Sequence, residues 1–323
     1  MMNSVDPRRL FRTSRVGIWL ALVLEVVLLA ILTSEFGPGG FSSTFLNWSN
    51  LSQVIRALSF TAIMGVGQAA VIITGGIDLA VGSVLGLSGV VVAVLLTSGV
   101  ALPLTVVAGL AVGLAAGLLN GVVITRAKLP PFIVTLGMMS IARGLAFAIT
   151  GGETIRNLPP EYLAAGQGEL FGVPVPILIL ALLAAAAGYL LRTTTWGRYV
   201  YAIGGNEEAA LLAGVDVRRV KVAVYGVCGL AAGIAGVLFT SRFGVGQSTA
   251  GLGYELDVIA AAVIGGASLT GGKGTILGVV IGSLLMGILR NGLVLLNVSA
   301  YWQQVAIGLV IILAVILDRR TSS

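Results

Sequence analysis

The chain has 323 residues, 57% of them hydrophobic and 10% charged, with a mean hydropathy of +1.04; a water-soluble fold of this length cannot hide so much apolar surface. It has no histidine, which removes the commonest general base and transition-metal ligand and excludes zinc proteases and Ser-His-Asp hydrolases. Its single cysteine, Cys228, allows no intramolecular disulfide, and loops facing an anionic membrane leaflet account for the net charge of +6 without a nucleic-acid partner.

The apolar runs predict an all-α polytopic membrane protein, a single transmembrane domain over 1–323. Alternating strands of about ten residues, the mark of a membrane barrel, are missing. Ten spans are predicted near 16–33, 57–76, 79–98, 103–124, 131–150, 172–191, 220–241, 254–268, 275–296 and 300–317. The basic tail 1–15 has no small-residue cleavage site after it, so the first span reads as a retained anchor. The stretch 37–58 is predicted to be an amphipathic helix leading into the second span, with Phe45, Leu46 and Trp48 at the interface. The external loop 151–176 contains Pro159, Pro160 and several glycines, which argue against a long helix there.

Basic residues orient the bundle. With the N-terminus inside, fourteen of the nineteen fall in cytoplasmic segments: Arg8, Arg9, Arg12, Arg15, Arg126, Lys128, Arg192, Arg198, Arg218, Arg219, Lys221, Lys273, Arg319 and Arg320. Only Arg56, Arg156 and Arg242 fall outside, and Arg143 and Arg290 lie within spans. Both termini, including the tail 318–323, are then cytoplasmic. Spans 2–5 and 7–10 each hold four helices and start in opposite directions, the arrangement of an inverted repeat.

Glycines recur every four residues at 113, 117 and 121, at 229 and 233, and at 278 and 282. Such spacing lets helix backbones approach in lipid, and packing within the chain is the first reading of it. GGKGT (271–275) imitates a phosphate loop, but Lys273 is followed by Gly274 and Ala267 stands where the first glycine belongs. No nucleotide, cofactor, metal or catalytic group is therefore expected on this chain. The cytoplasmic segment 192–219 contains a short helix: Gly204 and Gly205 break the chain, Asn206 caps, Glu207 and Glu208 occupy the first turn, and Gly214 ends it. About two turns cannot be stable alone, so this helix must dock, either on its own bundle or on a cytoplasmic partner.

Polar residues inside a membrane are costly and mark candidate solute paths. Gln68, Thr74, Asp78, Ser83, Asn120, Thr135, Gln247 and Asn291 form the candidate path; Arg143, Glu255, Asp257 and Arg290 are the other intramembrane polar groups. Asp78 sits in TGGIDLAVGS (74–83), at the junction of spans two and three. It can cap the next helix or touch the solute.

Four stretches in order resemble the ribose/xylose/arabinose-type permeases of bacterial ABC importers. They are TGGIDLAVGSVLGLSGVV, LPPFIVTLGMMSIARGLAFAITGG, GRYVYAIGGNEEAALLAGVDVRRVK and the run from AAVIGGASLTGGKGT to VIILAV; the likeness extends from about residue 45 onward. The resemblance implies two permease subunits, a cytoplasmic ABC ATPase that hydrolyses the ATP, and a periplasmic binding protein that delivers the sugar. It maps an ATPase-coupling element onto Gly204, Gly205, Asn206, Glu207, Glu208, Ala209, Ala210, Ala213, Gly214, Asp216 and Arg218. This chain has Leu211 and Leu212 where the family often has a polar or basic residue. Related permeases carry amino acids or a furanosyl signalling molecule, and an ion-coupled transporter of a small polar solute is the rival class.

Overall fold

A computed structural model describes residues 7–37 and 40–322. The tail at 1–6 and the side chains of Arg8, Arg9, Arg12, Arg15, Arg319 and Arg320 lie outside the described residues. In chain order the elements are α1 (Pro7–Leu32), the hairpin β1 (Ser34–Gly37) and β2 (Gly40–Ser43), α2 (Trp48–Ile73), α3 (Val81–Thr97), α4 (Leu102–Ala127) and α5 (Pro131–Thr150). Then come α6 (Pro160–Gln167), the short hairpin β3 (Glu169–Leu170) and β4 (Val173–Pro174), α7 (Val175–Thr193), α8 (Thr195–Gly205) and α9 (Glu207–Leu212). The remaining elements are α10 (Val217–Phe243), α11 (Tyr254–Ile264), α12 (Ile276–Leu295) and α13 (Ala300–Ser322). Helices dominate because the hydrocarbon offers no hydrogen bonds, so each segment must satisfy its own backbone.

Six of the described helices, α2, α4, α5, α7, α10 and α12, are long and apolar enough to cross a membrane. Three further apolar helices among the described residues are shorter: Gly17–Leu32, Val81–Thr97 and Ala300–Leu313. The α3 helix has 17 residues and α11 only 11, about 16 Å, well short of a hydrocarbon core of roughly 30 Å. Each is preceded by irregular backbone, 74–80 and 244–253, which takes up part of the depth. One other prediction is corrected. The stretch 37–58 holds β2 and then the start of α2, with Phe45 buried rather than interfacial. The basic tail already becomes helical at Pro7. The segment 192–219 also contains α8 before the short helix, capped by the Thr194 side chain, which accepts from Gly197 N.

The centre of the bundle is α2 packed on α10. The most apolar stretch of α2 is 83% buried and that of α10 67%, against 17% for α5 and α7. Leu104, Val107, Phe132, Ile133 and Leu182 on the outer helices are exposed, as a lipid-facing surface requires. The glycine ladder does what its spacing predicts, within one chain. Gly113, Gly117 and Gly121 of α4 meet Gly233, Gly229 and Val222 of α10 in antiparallel register, backbone against backbone. Likewise Gly278 and Gly282 of α12 meet Gly265 and Ala261 beside α11.

The two irregular segments meet inside the bundle. Gly82 in the first turn of α3 touches Gly251 just before α11. The Arg143 guanidinium, from α5, donates to the carbonyls of Ser248 and Ala250 and so pins the second segment from the side. Near the start of α2 the buried Arg56 donates to Gln167 O at 2.8 Å and pairs with Glu169, holding the β3–β4 turn.

A Cβ on Gly117 would collide with the Tyr225 carbonyl, while one on Gly137 would meet nothing within 4 Å. Both Gly→Ala changes gain about 1 kcal/mol of helix propensity. Gly137→Ala is therefore expected to match or exceed wild-type thermal stability, whereas Gly117→Ala falls below it by about 1–3 kcal/mol of overpacking, in unfolding of the purified protein.

Candidate coupling junction and buried polar cluster

The short helix α9 is built as its residues dictate. The Asn206 side chain accepts from Ala209 N at 2.9 Å. Gly214 has φ +84, a left-handed conformation that a side chain resists, and it lets Val215 N donate back to Ala210 O at 3.0 Å. Ala213 is the C-cap residue, and Ala210 is the buried face. Glu207 pairs with Lys221 Nζ at 2.6 Å, tying α9 to the first turns of α10. Asp216 caps α10 by accepting from Arg219 N at 3.0 Å. Glu208, Leu211, Leu212 and Arg218 face outward; Leu212 is 90% exposed.

What holds this arm to the bundle lies outside it. Gly204 does not break the chain but closes the last turn of α8, with its Cα against the Ile73 carbonyl and the Gly272 amide. Gly272 N in turn donates to Ile73 O at 2.9 Å. Gly271 and Gly272 have φ +88 and +73, so the loop can present its backbone this closely. The Tyr201 hydroxyl donates to Gly274 O at 2.8 Å. The GGKGT turn is thus a backbone weld between α8, the end of α2 and the start of α12. A Cβ on Gly205, one residue on, would meet nothing within 4 Å.

Ile73 is the last residue of α2, and Thr74–Asp78 follow directly. Thr74 terminates the helix, its hydroxyl donating to Val71 O at 2.7 Å. The chain then climbs along α10: Gly76 lies on the Tyr225 hydroxyl and the Asp78 carboxylate beside Cys228 and Asn120. Cys228 is the twelfth residue of α10, about 16 Å along a helix of about 40 Å. Asp78 therefore sits well inside the bundle. It is not the N-cap of α3, which is Ala80. Its Oδ1 accepts instead from Ala80 N at 2.8 Å, fixing the turn that leads into the helix.

Around Asp78 the structure assembles Gln68, Asn120, Tyr225 and Cys228, from α2, α4 and α10, all at most 2% exposed. Cys228 Sγ donates to Gln68 Oε1 at 3.3 Å. The Gln68 amide nitrogen, both polar atoms of Asn120 and the Tyr225 hydroxyl make no well-aligned hydrogen bond. Thr135 joins from α5, its hydroxyl 3.3 Å from Ile77 O and 3.0 Å from Pro131 O. Ser83 is buried in the first turn of α3. The other two candidates are elsewhere. Gln247 lies half-buried in the segment before α11. Asn291 exchanges hydrogen bonds with Asn50 at 2.9 and 3.1 Å, eighteen residues or about 27 Å up α2 from Gln68. Asp257 and Arg290, two of the other intramembrane polar groups, form an ion pair at 2.7 Å between α11 and α12. Reading the sequence missed Tyr225, Cys228, Tyr201 and the loop glycines. The i, i+3 spacing of Tyr225 and Cys228 on one face of α10 was the available signal.

A helical bundle with broken, polar-lined segments at its centre and an exposed capped helix at one end is the architecture of a membrane permease. The family model described as "Branched-chain amino acid transport system / permease component" matches residues 50–315, and the chain belongs to that family. It is 41% identical over 322 residues, 98% of each chain, to the ribose import permease protein RbsC of Escherichia coli (strain K12). It is 42% identical over 311 residues to the ribose import permease protein of Bacillus subtilis, covering 96% of this chain and 94% of that one. It is also 36% identical over 306 residues to the L-arabinose ABC transporter permease protein of Azospirillum brasilense, covering 95% and 90%. No solved structure matches the chain. Proteins of this family are transport subunits and not themselves enzymes.

Two substitutions separate the weld from its neighbour. Gly204→Ala places a methyl group into the Ile73 carbonyl and is expected to cost about 1–3 kcal/mol in thermal unfolding, while Gly205→Ala stays within about 0.5 kcal/mol of wild type. At the cluster, Asp78→Asn keeps the acceptor for Ala80 N and leaves stability at or above wild type. Asp78→Ala strands that buried amide and lowers stability by about 1–3 kcal/mol, measured the same way.

Proposed function

We propose that the chain is the transmembrane permease subunit of an ATP-driven importer for a simple sugar of the pentose or hexose class. A periplasmic binding protein delivers the sugar, and a separate cytoplasmic ABC ATPase hydrolyses the ATP. Two permease copies frame the path as a homodimer in the bacterial inner membrane, with both termini and the segment 192–219 cytoplasmic. Full-length likeness to permeases named for ribose and L-arabinose supports the solute class.

The observation that carries the reading is the α8–α9 arm. It is capped at both ends, welded by backbone to the end of α2, and it offers Leu211 and Leu212, 62% and 90% exposed, to whatever lies beyond. Two adjacent leucines on a six-residue helix at a membrane protein's cytoplasmic end suit an apolar pocket on a partner. The coupling element comprises Gly204–Ala210, Ala213, Gly214, Asp216 and Arg218. A push on α9 reaches α8, then Ile73, then the segment that positions Asp78. Gln68, Thr74, Asp78, Ser83, Asn120 and Thr135 act as the inner gate, closed in this conformation. Its unpaired polar atoms become hydrated when the helices part. Gln247 and Asn291 belong to the outer part of the path.

The packing also supports two inverted halves of a ten-segment bundle. Exchange α2 with α10, α3 with α11, α4 with α12 and α5 with α13. The contacts among these eight helices then map onto one another: α10 on α3 and α4 becomes α2 on α11 and α12, α3 on α4 becomes α11 on α12, and α3 on α5 becomes α11 on α13. The contact of α2 with α10 maps onto itself, as elements on the pseudo-symmetry axis must.

Leu212 makes little contact with its own chain, so Leu212→Glu is expected to leave yield, thermal stability and ATPase-free behaviour unchanged. ATP-driven uptake of labelled ribose or arabinose, in vesicles holding the ATPase and binding protein, drops to background. Gly214→Pro, which forces φ from +84 to about −65, has the same effect on uptake. Undiminished uptake in both variants, with assembly intact, ends the coupling role. Uptake that needs no ATPase but collapses with the ion gradient replaces the importer with a secondary transporter. Uptake of amino acids or of a furanosyl signalling molecule in place of sugars changes only the solute.

A further inference from the structure

A cavity of about 1080 Å³ opens on the side of the bundle between α1, α7, α8 and the start of α12. Its walls are apolar, with Ile18 of α1 and Leu277 and Ile281 of α12 among them. Its mouth is different. Arg192, in the last turn of α7, and Arg198 of α8 both line it and are both exposed. Among the described residues no carboxylate lies within ion-pair range of either. Arg198 has only the Thr195 hydroxyl, at 3.1 Å. Trp19 and Tyr189, 50% and 66% exposed, flank the same opening.

An apolar slot between helices, a pair of unpaired cations at one end and indole and phenol rings at the same level match the three zones of a phospholipid. Acyl chains fill the slot, the rings lie at the glycerol level, and the arginines meet the phosphate and any further negative charge. We propose that this cavity binds one anionic phospholipid per chain, in the leaflet that faces α8. A partner protein is the weaker fit, because the slot runs along the lipid-facing sides of α7 and α12 rather than beyond the helix ends. The site adjoins the weld: Tyr201, which bonds to Gly274 O, and Gly274 itself both line it. A bound lipid therefore props α8 against α12 from the outside. The inference goes beyond the transport reading and stands independently of it.

The test uses the purified full chain in mild detergent, so no ATPase, binding protein or solute enters. Native mass spectrometry counts lipid retained after addition of phosphatidylglycerol or phosphatidylcholine. Wild type is expected to keep one phosphatidylglycerol per chain under conditions that strip phosphatidylcholine. Arg192→Gln combined with Arg198→Gln weakens that retention roughly tenfold or more. Gly188→Phe acts separately: Gly188 lines the slot, and a Cβ there meets nothing within 4 Å, so the ring fills the acyl space without disturbing α7. It abolishes retention with both arginines in place. Arg126→Gln combined with Lys128→Gln, basic residues outside the cavity, retains the lipid as wild type does. Equal retention of the two lipids by wild type overturns the proposal, as does unchanged phosphatidylglycerol binding in both cavity variants. Failure of transport with lipid binding intact speaks against the importer reading alone.

Discussion

One backbone contact organises the end of the bundle that holds α8 and α9. At Gly204 the end of α8 lies directly on the Ile73 carbonyl that ends α2, and the Gly272 amide bonds to the same carbonyl. No side chain intervenes, so the three strands of backbone have almost no freedom to slide past one another. Three residues past Gly204 the chain enters the exposed helix α9. Five residues past Ile73 it reaches Asp78 at the heart of the bundle. A rigid contact of this kind transmits displacement where a pair of long side chains would absorb it in rotamer changes.

The second constraint is the set of polar groups left unpaired around Asp78. In a bundle bathed in hydrocarbon, a buried polar group without a well-aligned partner costs about 1–3 kcal/mol. The cost is tolerated because neighbouring helices are locked elsewhere, chiefly by the glycine ladder between α4 and α10. The cluster is thus strained in polarity and not in packing. A small separation of α4 from α2 would admit water and relieve it. The Asp257–Arg290 pair is a different case, since both charges are matched and Arg290 keeps partial access to solvent.

Much of the fold could be read residue by residue. The span expected at 131–150 matches α5, which opens on Pro131 and stops at the left-handed Gly151. The cap at Asn206 and the stop at Gly214 were likewise visible, because they depend only on local backbone chemistry. Local chemistry also misled. Apolar content showed the runs at α3 and α11 but not how short the second helix is, because hydropathy does not register where irregular backbone replaces helix. Gly204 and Gly205 looked equivalent, yet only one touches another helix. Asp78 looked like a helix cap and proved to bond one residue short of the helix.

The sequence by itself determined the solvent, the helical class, the orientation signal in its basic loops and the positions of caps and stops. These follow from composition and from interactions within four or five residues. Tertiary structure alone decided which polar residues share a site. Gln68, Asp78, Asn120, Tyr225 and Cys228 come from stretches separated by up to 160 residues, and only helix packing brings them together. It also decided what GGKGT and TGGIDLAVGS are for. One is a weld and the other the path away from it, and glycine serves both because close backbone approach between distant segments leaves no room for a Cβ.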